Sequence, residues 1–374
     1  MKLLKILGGN DGGGIYECEK QFINYWRKKN IEVHAIIVGA GIASLHYKGM
    51  VDKFFILPKI KLISKGKTPL KELRNIAIVR KYNISVKSVI DNIDLAEYSA
   101  IIYQRHFYTG IASYISKCTK VNAYWHMPLS VRSGFEKKYF RYLANKNNIN
   151  VIANSKHTKH SIGDISEYYV YPGFNEKRVV SHNTSPYYRI KLSIPENNLV
   201  FGIAARINQR KAVHTVIESF IKLSQEYEEI HLMIAGGPLD TEYAKKCISM
   251  AEESKNKVHF LGKLEKMAEF YASINVYVHS IMDVEAFGIS VAESLGSGLP
   301  VIAYSNGGPK EMVIQNYNGW LVNKPNVLEY YQAMKKAVLS RDSIKEMGLN
   351  SKKMSKEFRA DINAEKFLDI IKIK

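Results

Sequence analysis

From one end of this chain to the other, short apolar runs alternate with amphipathic stretches of helical period. Residues 3–7, 33–38, 100–103, 121–125 and 151–153 read as the buried strands of a first series. Residues 199–204, 231–235, 258–261, 276–279 and 299–303 read as those of a second. Strands that are apolar along nearly their whole length are covered on both faces, which implies parallel sheets flanked by helices. The intervening segments supply the helices. In residues 17–29, Phe22, Ile23 and Trp26 fall on one side, and in 211–227 Val213, Ile217, Phe220 and Ile221 recur at helical spacing. A length of 374 residues, set against ~150 per domain, suits two such units. The polar, aperiodic residues 179–198 are expected to link a domain at 1–178 to one at 199–354. The helical pattern of 355–374 is expected to return to the first domain. The fold class is therefore α/β, two doubly wound domains with a ligand expected at a central cleft faced by the C-terminal ends of their strands.

Charge sharpens this picture. The formal net charge is +19, and residues 1–180 hold 29 Lys+Arg against 13 Asp+Glu, leaving 25 against 22 for the rest. A balance of +16 in one half and +3 in the other projects a positive field from the first half toward an anionic partner. Either solvated lysines or contact with an anionic membrane surface accounts for the basic stretch 59–71, with Lys59, Lys61, Lys65, Lys67 and Lys71 among apolar residues. A nucleic-acid partner is not expected, since no helix-turn-helix, zinc or RNA-binding motif is present. Apolar runs stop short of the ~18 residues of a membrane span, and residues 1–7 read as a strand, not a secretory leader. Three scattered cysteines, Cys18, Cys118 and Cys247, suit neither a disulfide framework nor a metal cluster, so a cytoplasmic setting is expected.

The densest chemistry lies at residues 285–303, Glu-Ala-Phe-Gly-Ile-Ser-Val-Ala-Glu-Ser-Leu-Gly-Ser-Gly-Leu-Pro-Val-Ile-Ala. Here a strand ends, a loop carries Glu285, and Gly288 opens a helix. A small residue lets a ligand approach the exposed N–H groups of a helix N-terminus, where phosphates bind well. Glu293, within that helix, is placed to accept hydrogen bonds from a diol. This segment resembles the E-x7-E signature of family 4 glycosyltransferases, retaining enzymes of the GT-B fold. Further segments match that family in order. They are Gly202–Arg206 with Lys211, the strand and glycines ending at Gly236, the strand before Lys263 and Leu264, and Ser305–Glu311.

What the resemblance implies is specific. Arg206 and Lys211 would neutralise a donor diphosphate, as a guanidinium fork and a point charge do well. Glu285 would hold the donor sugar, with Phe287, Gly288, Ile289, Gly236, Lys263 and Leu264 around the nucleotide and Glu293 on the ribose. The family's glycine after the lysine is Ala212 here. In the first half, Gly13 and Gly14 form a glycine-rich turn after the first strand, a close approach for phosphate or sugar. His126 stands where the family directs a histidine at the donor sugar, while Arg105 and His106 are candidates for acceptor or phosphate contact.

The expectation is a transferase moving a hexose-type sugar from a nucleotide-sugar donor to a glycan or lipid-linked acceptor, as in bacterial surface polysaccharide synthesis. The enzyme would work in the cytoplasm or on the inner face of its membrane, with no cofactor and no metal. Asp283 beside Glu285 is read as incidental. Alternatives are an epimerase or phosphorylase on the same fold, and an oxidoreductase whose dinucleotide fingerprint fails at Glu17 and Ser44.

Overall fold

The structure of the chain, a computed structural model, describes residues 1–63, 69–95, 97–131 and 133–373, with the side chains of 69–73 excepted. It divides into two compact units, Met1–Pro172 with Ala360–Lys374, and Gly173–Arg359.

The first unit is built on a parallel seven-stranded sheet. In chain order the strands are β1 (Lys2–Gly8), β2 (Glu32–Val38), β3 (Lys53–Leu57), β4 (Ala100–Tyr103), β5 (Ala123–Met127), β6 (Ile149–Ala153) and β7 (Ser166–Tyr169). Their spatial order is β3-β2-β1-β4-β5-β6-β7, so the strand order reverses between β1 and β4. Alternate side chains feed two apolar layers. Leu4, Ile6, Ile36, Tyr103 and Trp125 join one, and Leu3, Leu7, Ile37, Ile102 and Tyr124 the other. That second layer is completed by Phe22 and Trp26 of the helix Gly13–Lys28 and by Phe367, Leu368 and Ile371 of the terminal helix Ala360–Ile373. Trp26 donates its indole N–H to the Ala364 carbonyl at 3.0 Å, fixing the register of the two helices.

The second unit carries a parallel six-stranded sheet. Its strands are β8 (Leu199–Ala204), β9 (Ile230–Ala235), β10 (Val258–Gly262), β11 (Val276–His279), β12 (Val301–Tyr304) and β13 (Gly319–Val322), in the order β10-β9-β8-β11-β12-β13. Its main core joins Phe201, Ile234 and Val278 of the sheet to Val216 and Phe220 of the helix Val213–Ser224.

Residues 179–198, expected to be a linker, lie inside this unit. They form the helix Tyr187–Lys191 and are tied down by their own polar groups. Arg189 donates to Asn275 Oδ1 at 2.6 Å, and the Val180 and Tyr188 amides donate to Ser297 and Ser273 hydroxyls. Polar composition here reflects specific hydrogen bonds, and the chain passes between units at Pro172–Gly173.

Candidate functional site

In the second unit the loops after β8, β11 and β12 bring the sequence-predicted donor residues together. Glu285 stands in the loop between β11 and the helix Ile289–Gly296. Two glycines hold that loop in place. Gly307 has φ +83°, and a Cβ there would come within 2.1 Å of the Glu285 carbonyl oxygen. Gly308 donates its N–H to that same oxygen at 2.8 Å. The Gly-Gly pair after β12 therefore works by letting two loops touch.

Lys211 ends a single 3-10 turn, Gln209–Lys211, capped by the Asn208 side chain. Its ammonium lies 2.5 Å from Glu285 Oε2. Burial alone would raise the Glu285 carboxyl, but Lys211, together with its neighbours His279 and Arg210, outweighs it and holds the group below the usual carboxylate range. His279, the last residue of β11, has its Nε2 3.9 Å from the same Oε2. Burial, helped by the charge on Lys211, pushes this imidazole down to about 3. It is therefore neutral at physiological pH, and neither ring nitrogen has a hydrogen-bond partner among the described residues.

Ahead of the helix Ile289–Gly296, Gly288 adopts φ +95° as its N-cap, a conformation that favours glycine. The first helical N–H groups have no intrahelical acceptor and carry the positive end of the helix dipole. Arg206 projects, exposed, from the loop after β8, with no ion-pair partner among the described residues. Gly236 lets the β9 loop close on the β8 loop, because a Cβ there would sit 1.7 Å from the Ala205 carbonyl oxygen. Lys263 is exposed and Leu264 half-buried just beyond β10, and Ile289 is half-buried.

Two expected ligand contacts are occupied by protein. Glu293 is 3% exposed, with Oε1 accepting from Arg178 Nε at 2.6 Å and Oε2 from the Tyr271 hydroxyl at 2.9 Å. A diol would have to share these oxygens through their remaining lone pairs. Phe287 points inward, its ring 6.1 Å from that of Phe358, so it packs and does not face a ligand.

The first unit corrects three expectations. Gly13 and Gly14 form the first turn of a helix, not a separate turn ahead of it, and Gly12 N-caps it in an extended conformation. Added Cβ atoms at Gly12 and Gly13 would meet nothing within 4 Å, so the space beside that turn is open. His126 is 2% exposed and turned into the apolar layer, between the rings of Phe22 and Phe367. It makes a 2.8 Å hydrogen bond to the Val170 carbonyl through Nε2, and burial lowers its pKa to about 4, so it is a neutral core histidine. Side-chain alternation along β5 decides this, since Trp125 and Met127 face the opposite layer. His106 packs its half-buried ring beside Phe107 and Phe140 and is lowered to about 4 by burial and by Arg105, which removes it as a phosphate cation. Arg105 is tied to Asp11 at 2.6 Å, and Asp11 also accepts the Gly8 amide, so that guanidinium braces the turn after β1.

His279, Asp11, Arg178 and Tyr271 were not singled out from sequence. Only His279 left a trace there, as the single residue of that strand that is neither aliphatic nor a tyrosine. Of the basic stretch 59–71, residues 64–68 and the side chains of 69–71 lie outside the described residues, while Lys59 and Lys61 are exposed. Among the described residues no group of three or more His, Cys, Asp or Glu forms a metal site, and no helix is long and apolar enough to cross a membrane.

Comparison with known proteins follows the same division. Residues 185–354 match the family model of glycosyl transferases group 1. Among curated relatives, the alpha-1,3/1,6-mannosyltransferase ALG2 of Mus musculus is 29% identical over 183 residues, 44% of this chain and 43% of that protein. The lipopolysaccharide 1,2-N-acetylglucosaminetransferase of Salmonella typhimurium is 26% identical over 145 residues, covering 37% and 38%. The chain thus spans less than half the length of these relatives. Over the whole chain, the structure of HepE from Anabaena in complex with UDP aligns with a TM-score of 0.80 at 18% identity, covering 100% of both chains. Similarity to glycosyl transferases group 1 therefore falls within the second unit, and the two units have the GT-B fold.

Proposed function

We propose that the protein is a retaining glycosyltransferase that moves a hexose-type sugar from a nucleotide-diphosphate donor to a hydroxyl of a glycan or lipid-linked glycan. The observation that carries this reading is the Lys211–Glu285 pair beside the N-terminus of the helix Ile289–Gly296. A cation, a carboxylate and exposed amide groups in one place suit a diphosphate joined to a sugar. The ammonium of Lys211, the free guanidinium of Arg206 and the helix amides take the charge that builds on the departing diphosphate. Glu285 accepts hydrogen bonds from the donor sugar. The acceptor hydroxyl enters on the face the diphosphate leaves, so catalysis is positioning and charge stabilisation. Two fixed cations supply the neutralisation that a metal ion would otherwise give, and no metal is needed in this scheme.

Relatives named for lipopolysaccharide and O-antigen synthesis support a surface-glycan acceptor. The lysine-rich first half suits an anionic membrane carrying that acceptor. Incubation with UDP-, GDP-, ADP- and dTDP-linked hexoses in chelator, assayed for release of nucleoside diphosphate, tests the proposal. Release from one nucleotide class is expected, accelerated by a lipid-linked or glycan acceptor. Strict dependence on a divalent ion would remove the metal-free scheme, and inertness toward all four would remove the donor assignment.

A further inference from the structure

The donor scheme leaves the buried imidazole beside Glu285 unexplained. His279 is 3% exposed, and both its ring nitrogens lack hydrogen-bond partners among the described residues. A neutral imidazole carries one N–H and one lone pair. Burying both unpaired disfavours the folded state, whereas an apolar side chain of similar volume would fill the place without that cost. An orphaned group of this kind asks for a partner that arrives in another state of the protein.

The geometry says which partner. Nε2 lies 3.9 Å from Glu285 Oε2, just beyond hydrogen-bond range, and that oxygen already accepts from Lys211 Nζ at 2.5 Å. A neutral N–H donor is weaker than an ammonium, so in the absence of donor it does not displace Lys211. Resting on the assignment of Lys211 to the donor diphosphate, we infer that His279 is a positioning residue for Glu285. When the diphosphate draws Lys211 away, the Nε2–H of His279 takes over Oε2, and Oε1 is left for the donor sugar. No covalent bond changes, and the proton stays on the imidazole. One hydrogen-bond donor replaces another, with a closure of about 1 Å from the observed separation to a normal hydrogen-bond length.

The test uses the full chain and two substitutions, His279→Leu and His279→Gln. The assay takes the hexose donor from the four-nucleotide panel that the wild type turns over, with the matching nucleoside diphosphate as binding probe. His279→Leu is expected to match or exceed the wild-type melting temperature and to bind the nucleoside diphosphate within about 3-fold. Its kcat is expected to fall by about 30- to 100-fold, the scale of losing one preorganised donor. His279→Gln, which restores an N–H, is expected to recover kcat to within about 5-fold of wild type. A leucine variant with kcat within about 3-fold of wild type overturns the inference, and so does a loss of kcat that glutamine fails to rescue. If the wild type neither binds nor turns over any member of the panel, the donor assignment itself falls and takes this inference with it. If the wild type turns over while the variants behave alike, only the role of His279 falls.

Discussion

At the residue scale, Lys211 and Glu285 govern each other. Lys211→Met removes the strongest of the groups that oppose burial at Glu285, leaving His279 and Arg210, so the carboxyl shifts upward. In the wild type this depressed carboxyl contributes stability above its unfolded pKa, and the contribution is lost as pH falls through the folded value. In the variant the carboxyl lies higher and much of that contribution is lost. The stability gap between the two, about 1–2 kcal/mol at pH 7 for a pair about one-fifth exposed, is therefore expected to shrink as pH falls through the carboxylate range. Urea melts at several pH values measure it, and a constant gap would show that the two groups are not coupled. Turnover of Lys211→Ala is expected to fall by about 100- to 1,000-fold. Ala212, next in the chain, sits at φ +46°, a left-handed conformation that disfavours a Cβ. Ala212→Gly is accordingly expected to raise stability by about 0.5–1 kcal/mol with turnover unchanged, read by chemical denaturation.

At the scale of elements, the loops hold the site because glycines let them touch. Gly307→Ala would drive a Cβ against the Glu285 carbonyl oxygen at a positive φ, and is expected to cost about 2 kcal/mol and to lower turnover together with stability. The same reasoning explains what sequence made visible. Central strands such as β4, β8 and β11 are apolar along nearly their whole length because both faces are covered, so their runs stood out. The strands not foreseen, β3, β7 and β13, all lie at sheet edges, where one-sided pairing admits Lys53, Glu167 and the opening Gly319. The order of motifs around residues 202–311 was legible because backbone constraints leave glycines in the chain. The direction of His126 was not legible, because a strand's alternation reveals which layer a residue faces only once the layers are known. For the same reason Arg178 and Tyr271, partners of Glu293 from other elements, left no sign.

At the scale of the whole molecule, each unit depends on groups distant in sequence. The terminal helix Ala360–Ile373 places Phe367 against Phe22, Trp26 and His126. Phe367→Ala is expected to cost the first unit about 3–5 kcal/mol, seen as an earlier thermal transition by calorimetry. Acid should act on both units. His126 and His279 are buried neutral, with pKa values of about 4 and about 3 against an ordinary 6.5. The unfolded chain therefore binds more protons than the folded one between pH 6.5 and about 4, and stability is expected to fall steadily across that window.

The central claim, a nucleotide-diphosphate donor held by the second unit through Lys211, is tested most directly by thermal shift in chelator. Wild type and Lys211→Ala are compared against UDP, GDP, ADP and dTDP sugars. One nucleotide class at about 100 times its dissociation constant should stabilise the wild type by about 2.7 kcal/mol, and the variant far less at the same concentration. An equal shift in both proteins, or none in the wild type with any of the four, would contradict it.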